Sequence, residues 1–166
     1  RATGATLSQS MNLFVLAEGC HSSERIEEGL DLIEQGFTLV ERNGERAWEA
    51  ELYRVKGELL LAQEIKNQKS KVEGLKAKIE ASSQPLTPNP QDEAEACFLK
   101  AIEIARRQEA KMHELHATVS LARLWQQQGK QLAARNMLST IYNWFTEGFD
   151  TVDLQEAKAL LEELCH

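Results

Sequence analysis

The stretch Ser120-Leu121-Ala122-Arg123-Leu124-Trp125-Gln126-Gln127-Gln128-Gly129-Lys130-Gln131-Leu132-Ala133-Ala134-Arg135-Asn136-Met137-Leu138-Ser139-Thr140-Ile141 decides how this chain folds. Apolar positions recur at helical spacing on both sides of Gly129, so it reads as two amphipathic helices with a left-handed stop between them. Leu121, Ala122, Trp125, Ala134, Leu138 and Ile141 have gapless counterparts 105 residues earlier at Leu16, Ala17, Cys20, Gly29, Ile33 and Gly36. A third copy lies between, at Gly57 and Leu60, then Ala94, Phe98 and Ala101, with about 25 extra residues inside the pair. Small residues at fixed places let two helices approach, and the large residue three or four positions on fills the adjacent groove. The expected architecture is an array of helix pairs.

Working outward, the stops divide the rest of the chain. Ser22-Ser23 is expected to end one helix and cap the next, Asn43-Gly44 supplies a left-handed stop, and Asn89-Pro90 places a capping Asn before a first-turn Pro, with Asp92 and Glu93 favourable to the dipole. Gly148-Phe149-Asp150-Thr151 separates the last two segments. The predicted helices are about 4–19, 23–42, 45–66 or beyond, 90–109, 111–128, 131–146 and 151–164. They make one all-α domain over 1–166, with repeats at about 4–42, 45–109 and 111–146 and a cap helix at 151–164. Composition agrees: Ala, Leu, Glu, Gln, Lys and Arg supply 94 of 166 residues, while Val, Ile and Thr total 21, which excludes an all-β or parallel α/β fold. Tyr142, Trp144, Phe145 and Phe149 are expected to pack against a stripe of Leu154, Ala157, Leu161 and Leu164 on the cap helix, closing the exposed end of the array.

The insertion 66–89 differs from its surroundings. Ile65, Val72, Leu75 and Ile79 follow a heptad seam among five lysines, so the segment is basic in a chain of net charge −7. It reads as a solvated excursion, because Gly74 and the Ser82–Pro90 stretch disfavour a helix; the alternative extends the third helix to about residue 81 and would permit self-association through 66–80.

Charge and motifs exclude several functions. The acidic balance argues against nucleic acid or an anionic membrane as partner, and the longest apolar run, Leu13 to Ala17, is far short of a membrane span. Cys20, Cys97 and Cys165 are odd in number and far apart, the pattern of reduced thiols in the cytoplasm. The first residue is Arg1 with no signal-like stretch after it, so the chain is expected to belong to something longer. His113-Glu114-Leu115-His116 has its histidines at i, i+3 and lacks the third ligand of a zinc helix; Cys165-His166 has no neighbours of its kind. No phosphate-binding glycine loop or nucleophile elbow is present, so neither catalysis, metal nor cofactor is expected.

The repeated positions resemble the tetratricopeptide repeat. Tyr53, Gly57 and Leu60 are similar to its first-helix set, Ala94, Phe98 and Ala101 to its second, and Leu121, Ala122, Trp125, Gly129 and Ala134 match it in the last repeat. The first repeat departs, with Gly29 and Gly36 for alanines and Cys20 for Tyr; Arg106 and Thr146 stand at two of the closing Pro places. The resemblance implies a right-handed superhelix of three helix pairs plus a capping helix. Its concave face would hold Met11, Phe14, Glu18, Glu51, Arg54, Glu58, His116, Val119, Arg123 and Gln127, a surface for a protein or peptide partner. The list mixes apolar and charged groups without the cluster of Lys and Arg that would clamp a terminal carboxylate, and Arg54 and Arg123 are the groups that any acidic segment would use.

The phrases Glu51-Leu52-Tyr53-Arg54-Val55-Lys56-Gly57-Glu58-Leu59-Leu60-Leu61, Ser120-Leu121-Ala122-Arg123-Leu124-Trp125 and Trp144-Phe145-Thr146-Glu147-Gly148-Phe149-Asp150-Thr151-x-Asp153-Leu154 resemble the carboxy-terminal helical region of large bacterial signalling proteins. Those proteins join a predicted NTPase to a nucleotide cyclase, kinase or transcription-factor domain. The resemblance implies a noncatalytic interaction and regulatory arm whose partners include upstream domains. A ligand- or peptide-sensing domain is the alternative.

Overall fold

A computed structural model describes residues 9–44, 46–74 and 89–165. They form seven helices: α1 (Gln9–Ser22), α2 (Ile26–Asn43), α3 (Glu49–Gly74), α4 (Pro90–Arg107), α5 (Lys111–Gln127), α6 (Gln131–Tyr142) and α7 (Val152–Glu163), with no strand among the described residues. The all-helical class expected from composition is what is found. None of these helices is long and apolar enough to cross a membrane.

Local chemistry explains several of the ends. Gly44 caps α2 with φ 67° and donates its N–H to the Val40 carbonyl, a conformation that costs glycine little. Asn89 caps α4, its side-chain oxygen accepting from the Gln91 N–H at 3.2 Å ahead of Pro90. The Ser22-Ser23 cap is different from the expectation. Both hydroxyls donate backward, to the carbonyls of Glu18 and Gly19, so they finish α1, and Arg25 starts α2 without a side-chain cap. Helix α6 stops at Tyr142, four residues before the expected end at 146, in a turn that leads to the positive-φ Gly148. Helix α3 passes 66 and reaches Gly74; the rest of the insertion, 75–88, lies outside the described residues.

Each of α1, α3 and α5 packs most extensively on the helix that follows it. The odd-numbered helices also touch in succession, α1 on α3, α3 on α5 and α5 on α7, whereas α2, α4 and α6 make no contact with one another among the described residues. Such a row brings the odd helices together along one side. Small residues permit the approach where the repeat pattern placed them. A Cβ on Gly36 would lie 2.7 Å from Leu52 Cδ2, and one on Gly57 2.6 Å from Phe98 Cε1.

The core is a set of successive clusters. Phe14, Ala17, Ile33, Leu52, Val55 and Leu59 join α1, α2 and α3; Phe98, Ala101, Leu121 and Leu124 join α4 to α5. Leu115, Val119, Leu138, Leu154, Ala157 and Leu160 hold α7 onto α5 and α6. The cap stripe therefore runs through Leu160, with Leu161 only partly buried against it, one residue away from the expected member. Tyr142 and Phe145 pack on this cluster, but Trp144 and Phe149 remain 57% and 46% exposed.

Candidate functional site

The odd helices enclose a polar groove. Its cavity, of about 190 Å³, is lined by Glu18 of α1, Arg54 and Glu58 of α3, His116, Ser120 and Arg123 of α5, and Asp153 and Glu156 of α7, with Leu115 and Val119 as the apolar wall. Four helices separated widely in sequence thus supply one set of charges.

Arg54 is the centre of the set. Its guanidinium donates from Nε to Glu51 Oε2 at 2.6 Å, from Nη1 to Glu58 Oε1 at 2.9 Å and from Nη2 to Glu18 Oε1 at 2.8 Å. Glu51 and Glu58 reach it because residues three and four apart share a helix face; Glu18 reaches it because α1 packs on α3. The Glu51 and Arg54 side chains are 3% and 10% exposed, so both charges are taken from water and need each other. Burial pulls the guanidinium pKa down, but Glu58 and Glu51 overcome that and the net shift is upward. For Glu51, burial pushes the carboxyl up, yet the His116 hydrogen bond and the Arg54 charge prevail and hold it below its usual range.

His116 carries the network across α5. Its Nδ1 lies 3.1 Å from Glu51 Oε1, and its Nε2 lies 3.3 Å from Asp153 Oδ1 without the alignment of a hydrogen bond. Burial disfavours the imidazolium, but the Glu51 hydrogen bond and charge, helped by Asp153 against Arg54, raise the pKa above its ordinary 6.5. Nearby, Ser120 Oγ donates to Glu58 Oε1 at 2.8 Å, and Arg123 pairs with Glu156.

The raised pKa has a sign. A histidine that binds its proton more tightly when folded contributes stability in full below its unfolded pKa, and loses it as pH rises through the folded value. His113 is shifted the other way, by burial, so its cost appears only below 6.5. Thermal melts from about pH 6.5 to about pH 9 are expected to show a declining Tm over the His116 step. In His116→Gln that step should vanish; an unchanged profile would contradict the assignment.

Placed against the expected concave residues, the groove gathers Glu18, Arg54, Glu58, His116, Val119 and Arg123. Met11 and Phe14 pack into the first core cluster, with Phe14 stacked on Trp48 at 5.1 Å. Glu51 lies beneath the groove as the partner of Arg54, and Gln127 lies outside its cavity on the exposed end of α5. Arg54 is committed to three carboxylates, and Arg123 makes a half-exposed pair with Glu156. Sequence reasoning missed Asp153, Glu156 and Ser120. The available signal was register: Asp153 and Glu156 each precede a buried position, Leu154 and Ala157, and so share the adjoining face of the cap helix.

His113 turns away from this cavity, its ring 5.3 Å from that of Trp48. Among the described residues no group of three His, Cys, Asp or Glu side chains is placed to hold a metal ion. Comparison with known protein families, curated proteins and solved structures finds no match to this chain.

Proposed function

We propose that the chain is a tetratricopeptide-like array of three helix pairs, α1–α2, α3–α4 and α5–α6, capped by α7, and that it serves as a noncatalytic interaction and regulatory module of a larger bacterial signalling protein. The groove along the odd helices receives an extended segment of a protein partner, and that segment is basic. The carrying observation is the charge balance of the lining: four carboxylates face two guanidiniums and the His116 imidazole, which leaves the lining net negative even with His116 protonated. A net negative potential in a walled groove attracts a cation and rejects an acidic chain. The volume supports a segment over a small effector, since about 190 Å³ is below the roughly 300–1,000 Å³ of small-molecule sites and suits one inserted side chain.

Fluorescence polarisation with a labelled Arg/Lys-rich peptide, and with an acidic peptide of equal length, tests the reading. The basic peptide should bind and weaken steeply with salt, and Asp153→Asn with Glu156→Gln should reduce its affinity by roughly tenfold or more. The pair of substitutions leaves the Arg54 clamp untouched. Equal binding of both peptides would sink the proposal.

A further inference from the structure

Among the described residues, helix α1 presents an uncovered face made of Asn12, Val15, Leu16 and Gly19. Val15 and Leu16 are 48% and 57% exposed, Asn12 and Gly19 are exposed, and a Cβ added at Gly19 would meet nothing within 4 Å. Scattered exposed apolar residues need no explanation. These four do, because of what the same positions do elsewhere in the chain.

The internal repeat maps them onto Leu52, Val55, Lys56 and Leu59 of α3, and onto Ala117, Ser120, Leu121 and Leu124 of α5. Leu52, Val55, Leu59 and Leu121 are 0% exposed, and Ala117 and Leu124 are 1%. The two polar members are engaged with the preceding pair: Lys56 Nζ lies 2.6 Å from Glu34 Oε1 of α2, and Ser120 bonds Glu58 of α3. What covers these faces is therefore the helix pair before. A Cβ on Gly29 of α2 would sit 3.0 Å from Leu59, and one on Gly36 would crowd Leu52; Ala94 and Ala101 of α4 share a cluster with Leu124 and Ala117.

We propose that the Asn12–Val15–Leu16–Gly19 face is an inter-repeat seam, covered by a further helix pair joined N-terminal to α1 in the same polypeptide and stacked on it as α2 is on α3 and α4 on α5. The pattern of the two covered seams states its chemistry. In the first of those seams Gly29 stands opposite Leu59; here Gly19 replaces the leucine, so the incoming second helix carries a large apolar side chain at that place, and a hydrogen-bonding one opposite Asn12. Size argues for a covalently joined occupant over a second copy. The seam offers four positions, against the roughly 20–30 residues a side of a stable bimolecular interface, and a tether supplies millimolar effective concentration without more contact area. The opposite end of the array is occupied by α7 on α5 and α6, so the stack grows at α1.

The test is thiol accessibility at the seam. Leu16→Cys, in a Cys97→Ser and Cys165→Ser background, is labelled with a maleimide in residues 1–166 and in the product of the whole gene, and the modified peptide is identified by mass. Labelling should be fast and independent of protein concentration in the shorter chain, and about 100-fold slower in the whole product, as expected when a site reacts only after local opening. Leu16→Glu should raise amide exchange of α1 in the whole product and leave it unchanged in 1–166. Equal labelling rates in both, or a gene product with no helix pair ahead of α1, would overturn the proposal. So would protection that grows with concentration in 1–166, which would assign the seam to a second copy. The proposal stands apart from the groove, since the peptide measurement reports on Asp153 and Glu156 alone.

Discussion

Replacing Arg54 with Met is expected to destabilise the chain by about 3–5 kcal/mol, among the largest effects of any single substitution here. The magnitude comes from what is left behind. Glu51, with its side chain 3% exposed, would keep only the His116 imidazole at 3.1 Å and lose the 2.6 Å bond that neutralises it. Glu58 and Glu18, 23% and 46% exposed, can recover water and contribute less to the loss. At about 2–4 °C per kcal/mol for a chain of this size, Tm should fall by roughly 10 °C. The discriminating partner is Glu51→Gln combined with Arg54→Met, which removes the orphaned charge and should recover much of the loss. Urea unfolding at pH 7 reads both. A loss under 1 kcal/mol in the single variant would show that the guanidinium is not the pivot of the groove.

This clamp also explains why the groove was only half visible in the sequence. Glu51, Arg54 and Glu58 declare their shared face through spacing alone. Glu18 and His116 join them from 36 and 65 residues away, a distance that only the stacking of α1, α3 and α5 removes. The spacing of Arg54 within α3 therefore did not reveal that its charge is shared with a carboxylate of α1 as well as two of its own helix. Asp153 and Glu156 depend on a further step, the rotation of α7 about its axis, which is set by Leu154, Ala157 and Leu160 against α5 and α6.

The fold was more legible because its signals are local. Helical periodicity, the Asn89-Pro90 start and the left-handed Gly44 and Gly129 act within a turn, and each is found where the residues placed it. Ser23 failed as a cap because its hydroxyl had a competing acceptor at 2.7 Å, the Gly19 carbonyl, a contest that residue type alone does not decide. Leu16 shows the opposite limit. The repeat pattern classed it with Leu121, yet one is 57% exposed and the other 0%; a motif specifies a face, and burial also requires a neighbour to cover it.

The α3–α4 contact should respond most sharply to a paired substitution at Gly57 and Phe98. Phe98 is fully buried and its ring occupies the space a side chain at Gly57 would need, with Cε1 and Cζ 2.6 and 2.9 Å from the position of a Cβ. Phe98→Ala is expected to cost about 3–5 kcal/mol through lost transfer energy and a cavity in a densely packed layer. Gly57→Ala sets two effects against each other: about 1 kcal/mol of improved helix propensity, and about 1–3 kcal/mol from forcing a rigid ring aside. The steric effect should win, because an aromatic ring cannot yield by rotating a flexible tip, and the variant should be less stable than the parent. With both changes the new methyl occupies part of the space left by the ring. The double variant should therefore be more stable than the sum of the singles predicts, by about 1 kcal/mol or more. Denaturant unfolding of the four proteins measures this coupling. Strict additivity would mean that α3 and α4 do not meet through Gly57 and Phe98, and the pairing of α3 with α4 would have to be redrawn.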